Sequence, residues 1–295
     1  MALLQHGCLN GSLPSALHGI QPSASSSVPR STSQLRGTLF GGRDVFQGVD
    51  VASRLVNGIR VRQPFLNDPW TLTVHTIQQV LAHLEKPSTS VHQQRDASSS
   101  SVLIEVGSWT GASTLHMVQE MKRREASTIP ITPPIVISVD TWLGSPEFFT
   151  LGNTSWWEDM GFTTRSGYPT AFPQYLYNIA SAGMAQHVVP FPQTSLVAAK
   201  VMYAKGILAD AIYIDASHEH LDCKTDMEAY WELLRVGGIM FGDDYDWPGV
   251  KRAVDEFVAM RMLQLTLQPA VLQFGKPAPH GVRGKIEWIL SPKVC

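Results

Sequence analysis

Few of the features that would assign this chain to a special class are present. Cysteine occurs only at Cys8, Cys223 and Cys295, an odd number, far apart and without a CxxC pair. That argues against a disulfide framework and against a structural zinc site. No run approaches the roughly 18 to 20 consecutive apolar residues that span a bilayer, and no secretory apolar segment stands near the start, so no membrane partner is expected. Charge of either sign is scarce, at 16% of residues with a formal balance of −2. Without a cationic field, nucleic acid is not an expected partner either. Apolar residues are plentiful, at 44% of 295, enough for the core of one large domain or two small ones.

One local absence is sharper. Residues 1–43 contain no Asp, Glu or Lys, are rich in Ser, Leu, Gly and Pro, and carry Arg30, Arg36 and Arg43. This is the composition of an organellar transit peptide, and equally of an extension too polar to order itself. Residues 1–53 are therefore expected to be a disordered or transit-peptide-like extension, and 54–295 a single domain. The first case implies a chloroplast or mitochondrion, the second the cytoplasm.

The rest of the chain alternates. "PWTLTVHTIQQVLAHLE" at 69–85 has helical apolar spacing, and the Ser- and Gln-rich loop after it ends abruptly at "VLIEVG". From there the pattern predicts strands at 102–106, 135–139, 210–214 and 237–241, with helices at 112–124, 222–235 and 248–261. Continuous apolar strands between helical patterns mean a parallel sheet covered on both faces, an open doubly wound α/β domain. "LQLTLQ" at 263–268 and "KIEWILS" at 285–291 suit sheet-edge strands. The aromatic-rich connection at 141–177 breaks the rhythm and is either a lid over a site or a packed insertion.

"IEVGSWTGAST" leaves the first of these strands and opens a helix, where Gly107 and Gly111 allow a tight bend and a close backbone approach to a ligand. The next strand ends in Asp140, where an acid can accept from ribose hydroxyls. A pyrophosphate is disfavoured, because Trp109 stands where a dinucleotide fingerprint has its second glycine, and Glu105 would repel phosphate. S-adenosylmethionine, with a ribose, an amino group, a sulfonium and no phosphate, suits these residues better.

Two further strand ends carry acids: Asp215 in "YIDASH", and Asp243 with Asp244 in "FGDDYDWPG". Adjacent parallel strands lie about 4.8 Å apart, so such carboxylates converge, and like charges at that range share a proton or hold a cation. Oxygen-only ligation favours Mg²⁺ or another hard divalent cation. Asp246 is read as the cap of the helix opening at Pro248. His218, on the turn after Asp215, can take a proton from a hydroxyl. His116, His187 and His280 are read as structural, Glu219 and His220 as solvent-facing, and Cys223 as packed.

The stretches "IEVGSWTGAST", "VISVDTWLGSPE", "YIDASHEHLDCKTDMEAYWELLRVGGIMFGDDY" and "WPGVKRAVDEF", in this order, resemble class I S-adenosylmethionine-dependent methyltransferases. Among these they look most like the metal-dependent small-molecule O-methyltransferases of the macrocin and cephalosporin-pathway type, methyltransferase family 24. The resemblance implies a Rossmann-like, mostly parallel, seven-stranded sheet. It implies a cofactor site lined by Glu105, Gly107, Ser108, Trp109, Gly111, Ser113, Asp140 and Thr141, with Gln193, Thr194 and Ser195 toward the adenine. Asp215, Asp243 and Asp244 would bind Mg²⁺, with His218 as base. The expected activity is methyl transfer from S-adenosylmethionine to a hydroxyl of a small molecule. Some relatives take part in hydroxylation, the acceptor does not carry over, and a homo-oligomer is left open. A nicotinamide-dependent oxidoreductase and a catalytically silent S-adenosylmethionine-binding protein are the alternatives, the former opposed by Trp109.

Overall fold

Apolar runs too short and too β-branched for helices build the centre of the sheet. In the computed structural model, which describes residues 13–21, 31–62, 72–84, 100–125, 134–145, 168–269 and 285–294, these runs are β4 (Val102–Val106), β5 (Ile135–Asp140), β7 (Ala209–Ile214) and β8 (Leu234–Gly242). Adding β6 (Val188–Pro192), β9 (Leu265–Pro269) and β10 (Ile286–Leu290) gives a seven-stranded sheet of order β6-β5-β4-β7-β8-β10-β9. The pairs among β6, β5, β4, β7 and β8 are parallel, and β10 is antiparallel to both its neighbours. The chain winds outward from β4 through β5 to β6, then returns to start the other half at β7. The carboxyl ends of β4 and β7 therefore form the switch point where such sheets bind ligands.

Helices cover both faces, as the doubly wound reading requires. On one side α2 (Val74–Leu84), α3 (Ala112–Glu125) and α4 (Ala171–Ser181) bury Ile77, Val118 and Tyr175 against Leu103 and Tyr213. On the other, α5 (Ser195–Ala204), α6 (His220–Trp231) and α7 (Pro248–Arg261) bury Met202, Met227 and Phe257 against Ile104 and Ile212. Alternate residues of each strand serve opposite cores, so one short strand supports two layers. Among the described residues, no helix is long and apolar enough to cross a membrane.

The described parts of residues 1–53 carry regular structure. Ser31 accepts from Gln34 N at 3.2 Å to start α1 (Thr32–Phe40), and Gly41 closes it in the left-handed conformation. Arg36 donates to the carbonyls of Ala185 and Val188 at 2.7 and 3.1 Å, Phe40 meets Phe191 edge-on, and Leu35 is wholly buried. This helix covers the edge strand β6, an exposed row of backbone groups that a fold otherwise leaves open to stray pairing. Three two-residue strands, β1 (Val49–Asp50), β2 (Leu55–Val56) and β3 (Ile59–Arg60), form a second sheet against α4. The 53/54 boundary thus falls inside it.

Within the described parts of the aromatic connection at 141–177, Trp142, Tyr175 and Tyr177 are packed, whereas Tyr168 is exposed. Trp142 is buried between Phe172 and Tyr175, with ring centroids 4.5 and 4.8 Å away, and α4 begins at Ala171. Phe148, Phe149, Trp156, Trp157 and Phe162 lie outside the described residues. β10 is interior rather than an edge strand, which is why Trp288 is fully buried; β9 alone of that pair forms the edge. The helix expected at 222–235 spans His220–Trp231 instead, because β8 already starts at Leu234.

Candidate active site at the carboxyl ends of β4, β5, β7 and β8

The register sets the site. Val106 pairs with Ile214, and Ile214 with Gly242, so the residues that follow, Gly107, Asp215 and Asp243, leave three neighbouring strands side by side. Asp215 N donates to Val106 O at 2.8 Å, and Asp243 N to Ile214 O at 3.2 Å. Gly107 is positioned by this crossing. Its φ is +87°, and a Cβ there would lie 1.8 Å from the Asp215 carbonyl oxygen. The close approach that the structure shows at this glycine is to the neighbouring strand, where one to a ligand was expected. Gly111, at φ +90°, lets the start of α3 meet the Tyr175 ring, 3.0 Å from where a Cβ would stand.

Asp140 braces that turn. Its Oδ2 accepts from the backbone N–H groups of Ser108 and Trp109 at 2.9 and 2.8 Å, and its Oδ1 from Trp142 N at 2.7 Å. A carboxylate has about four acceptor directions, so a ribose has one left instead of the two expected. Thr141 Oγ1 accepts from Leu143 N at 3.2 Å, and the Trp142 indole donates to Trp109 O at 2.6 Å. The bulky Trp109, at φ +41°, is thereby fixed rather than in the way.

Glu105 and Ser113 do not line a ligand surface. On β4 the Glu105 side chain points with Leu103 into the α3 side of the sheet, where Ser113 donates to it at 2.5 Å, Ser138 at 3.1 Å, and Thr114 also bonds it. It is wholly buried, and that burial raises its pKa against the pull of the hydroxyls. The residue is an internal clasp between β4, β5 and α3. Of the proposed adenine-side residues, Thr194 caps α5 by accepting from Val197 N at 3.4 Å, and the Ser195 carbonyl accepts from the Tyr230 hydroxyl at 2.9 Å. Gln193 is exposed at the rim, its N–H donating to Asp140 O at 3.1 Å.

The acid end is differently arranged from the expected triad. One oxygen each of Asp215 and Asp244 and one nitrogen of His218 all lie within 4.8 Å of one another. His218 Nε2 is 2.8 Å from Asp244 Oδ2, and the imidazole stacks on Trp247 at 4.4 Å and 15°. Asp244 reaches it from a left-handed backbone, φ 58°, which aspartate tolerates better than most residues. With Asp244 as the acceptor, the imidazole hydrogen sits on Nε2 and the ring's lone pair on Nδ1. Gly249 has no room for a Cβ, which would stand 2.1 Å from the His218 carbonyl oxygen, so α7 abuts this turn. Trp247 and not Asp246 is the residue before α7.

Asp243 faces inward. Its Oδ2 is ion-paired with the buried ammonium of Lys285, and its Oδ1 accepts from Asp244 N at 2.7 Å. The Tyr213 hydroxyl lies 3.1 Å from Asp215 Oδ2 and 3.2 Å from Asp243 Oδ2, linking the two acids. Burial first, then the Asp244 charge, lift the Asp215 pKa to about 7. Burial would lower that of Lys285, but Asp243, Asp215 and Glu287 outweigh it and keep the ammonium charged. A cation here would meet the two carboxylates of Asp215 and Asp244 with one imidazole beside them, donors that fit a hard divalent ion such as Mg²⁺ or Mn²⁺.

The histidines expected to be structural behave so where they are described: His116 and His187 bond the Leu72 and Pro134 carbonyls at 3.1 and 3.2 Å, and His280 lies outside the described residues. His220 turns to Glu256 on α7 at 3.1 Å instead of facing solvent. Cys223 is packed, its thiol pushed up to about 12 by burial. Lys285, Tyr213 and Trp247 are the neighbours that sequence reasoning missed.

Residues 104–245 match the family model described as a methyltransferase domain, methyltransferase family 24. The match runs from β4 to just past Asp244. Solved structures similar to the chain include the O-methyltransferase NovP, at 14% identity and TM-score 0.48, covering 75% of this chain and 79% of that one. An O-methyltransferase from Bacillus cereus in complex with SAH gives 14% identity and TM-score 0.41, covering 83% and 100%. An rRNA methylase from Streptococcus thermophilus gives 13% and 0.43, covering 80% and 99%. No curated protein matches the sequence.

Proposed function

We propose that this chain, an S-adenosylmethionine-dependent methyltransferase of family 24, transfers the methyl group to a hydroxyl of a small molecule. The observation that carries the reading is contiguity. The turn braced by Asp140 and the His218–Asp244 pair are joined at one seam, where Gly107 lies against the backbone of Asp215. A nucleophile must come within about 3 Å of the methyl carbon and in line with the sulfur. In this reading the base is His218, on the loop after β7.

In this reading the acceptor oxygen forms a bond to the methyl carbon as the carbon–sulfur bond breaks. The electron pair leaves on sulfur, giving S-adenosylhomocysteine. The hydroxyl proton goes to His218 Nδ1, while Asp244 stabilises the imidazolium and Trp247 holds the ring plane. Asp215 and Asp244 would hold a divalent cation such as Mg²⁺, whose Lewis acidity would polarise an acceptor oxygen while His218 beside them takes the proton. Asp140 and the backbone of Ser108 and Trp109 keep the cofactor turn rigid.

Calorimetric titration with S-adenosylmethionine and with NAD tests the class; binding of NAD and not of S-adenosylmethionine overturns it. S-adenosylhomocysteine formation over a panel of phenolic and sugar acceptors tests the chemistry. His218→Asn is expected to lower turnover by about 100-fold or more with S-adenosylmethionine affinity unchanged within about threefold. Equal turnover removes the base role, and no product from any hydroxyl acceptor leaves the silent binding protein as the better reading.

A further inference from the structure

We propose that Lys285 is a resident cation that withholds Asp243 from any divalent metal, leaving Asp215 and Asp244, beside His218, as the carboxylates among the described residues that could hold one at the acid cluster. The antiparallel insertion of β10 brings it there. Tyr245 N donates to Ile286 O at 2.9 Å, which pins the start of β10 beside the chain leaving β8. Lys285 stands immediately before that strand, 5% exposed, with its ammonium on Asp243.

Asp243 is held on every side. Its carbonyl oxygen accepts from the Trp288 indole at 2.9 Å, its Oδ1 from Asp244 N, and its Oδ2 from Lys285 and the Tyr213 hydroxyl. The Trp288 ring lies so close to Gly242 that a Cβ there would stand 2.3 Å from it, so the backbone before Asp243 has no slack on that side. The remaining nearby acid, Glu287, accepts from Thr73 N and Thr73 Oγ1, both at 2.7 Å. A metal recruiting Asp243 would have to strip the carboxylate from Lys285 and leave an ammonium buried without it. Breaking a buried pair in this way costs on the order of a hundredfold or more in affinity. With Asp243 matched to Lys285, Asp215 and Asp244 are the two carboxylates left, and when both are ionised they balance one divalent ion.

The consequence rests on the cation role proposed for the cluster, and the test is chosen to stand apart from catalysis. Mn²⁺ is titrated into the full chain, with free ion followed by electron paramagnetic resonance and folding checked by thermal melts. Lys285→Met frees Asp243 and is expected to bind Mn²⁺ at least about tenfold more tightly than the parent chain. The double replacement Asp243→Asn with Lys285→Met removes both charges, and is expected to bind as the parent does, within about threefold. Asp244→Asn is expected to weaken binding at least about tenfold. If Lys285→Met binds no tighter, or the double variant loses the site, Asp243 is an ordinary ligand and the proposal fails. Should Lys285→Met not fold, the double variant decides alone, because it leaves no buried charge unpaired. S-adenosylmethionine binding, measured on the parent chain, reports separately on the methyltransferase reading.

Discussion

Replacing Leu35 with Ala tests whether the charge-poor N-terminal stretch is part of the folded unit. Leu35 is wholly buried and shares a core cluster with Val189 and Phe191 of β6. α1 has nine residues, too few to persist in water without docking. The side chain lost is a full leucine, so the cost is about 2–5 kcal/mol, with the upper half reached where the pocket stays open. Arg36 still donates to Ala185 O and Val188 O, which keeps the helix near its place and argues for about 3 kcal/mol. At 2–4 °C per kcal/mol for a domain of this size, the melting temperature falls by roughly 6–12 °C. The opposite change comes from Gly37→Ala on the same helix. Nothing lies within 4 Å of a Cβ at Gly37, so the gain in helix propensity, up to about 1 kcal/mol, is not offset by a clash. Thermal melts of both variants settle the matter. If neither moves the melting temperature, the helix is not docked, and residues 1–43 behave as the detachable extension their composition suggests. If the two move in opposite directions, a cleavage that removed residues 1–43 would strip the cover from β6.

Asp226 is buried, and burial, opposed by a Ser195 hydrogen bond, lifts its pKa from 3.8 to about 7. Between those values the folded chain keeps a proton that the unfolded chain gives up, so this group's contribution to stability falls as pH rises from about 4 to 7 and is constant above. Asp226→Asn should therefore gain on the parent chain over that window, by at most about 4 kcal/mol at 1.36 kcal/mol per pH unit; urea midpoints that differ equally at pH 4.5 and pH 8 would contradict it. Gly107→Ala should destabilise by about 3 kcal/mol or more, since its Cβ would lie 1.8 Å from a strand carbonyl in a left-handed turn. A melting temperature within a degree or two of the parent would show that β4 and β7 part more easily than their register implies.

The central sheet was legible because its strands are fully apolar and its helices periodic: the helix expected at 248–261 has those bounds, and the strand at 102–106 likewise. What escaped notice shares one cause, that local composition argued against the element tertiary contacts create. "VVPFP" carries two prolines, yet forms β6, because an edge strand tolerates a residue that cannot donate. α1 shows almost no amphipathic pattern and depends on one leucine and one arginine. α4 lies inside a run whose aromatic density looked aperiodic, though Tyr175, Leu176 and Ile179 form its buried face.

At the site, strand-end geometry was readable, and the occupancy of each acid was not. Parallel register alone predicts that Asp215 and Asp243 are neighbours, and they share the Tyr213 hydroxyl. Whether a carboxylate remains available depends on donors arriving from elsewhere in the chain: three backbone N–H groups at Asp140, three hydroxyls at Glu105, one ammonium at Asp243. A signal for the last was present in "KIEWIL". Lys285 and Glu287 fall on the same face of a strand whose neighbours are apolar, and two buried charges so placed require partners. Glu287 finds Thr73, and Lys285 finds Asp243. Counting acids at converging strand ends therefore overstates a metal site by one ligand for each buried base that reaches the same point. In the proposed arrangement Lys285 is that base, and of the three expected carboxylates Asp215 and Asp244 are the two left without it.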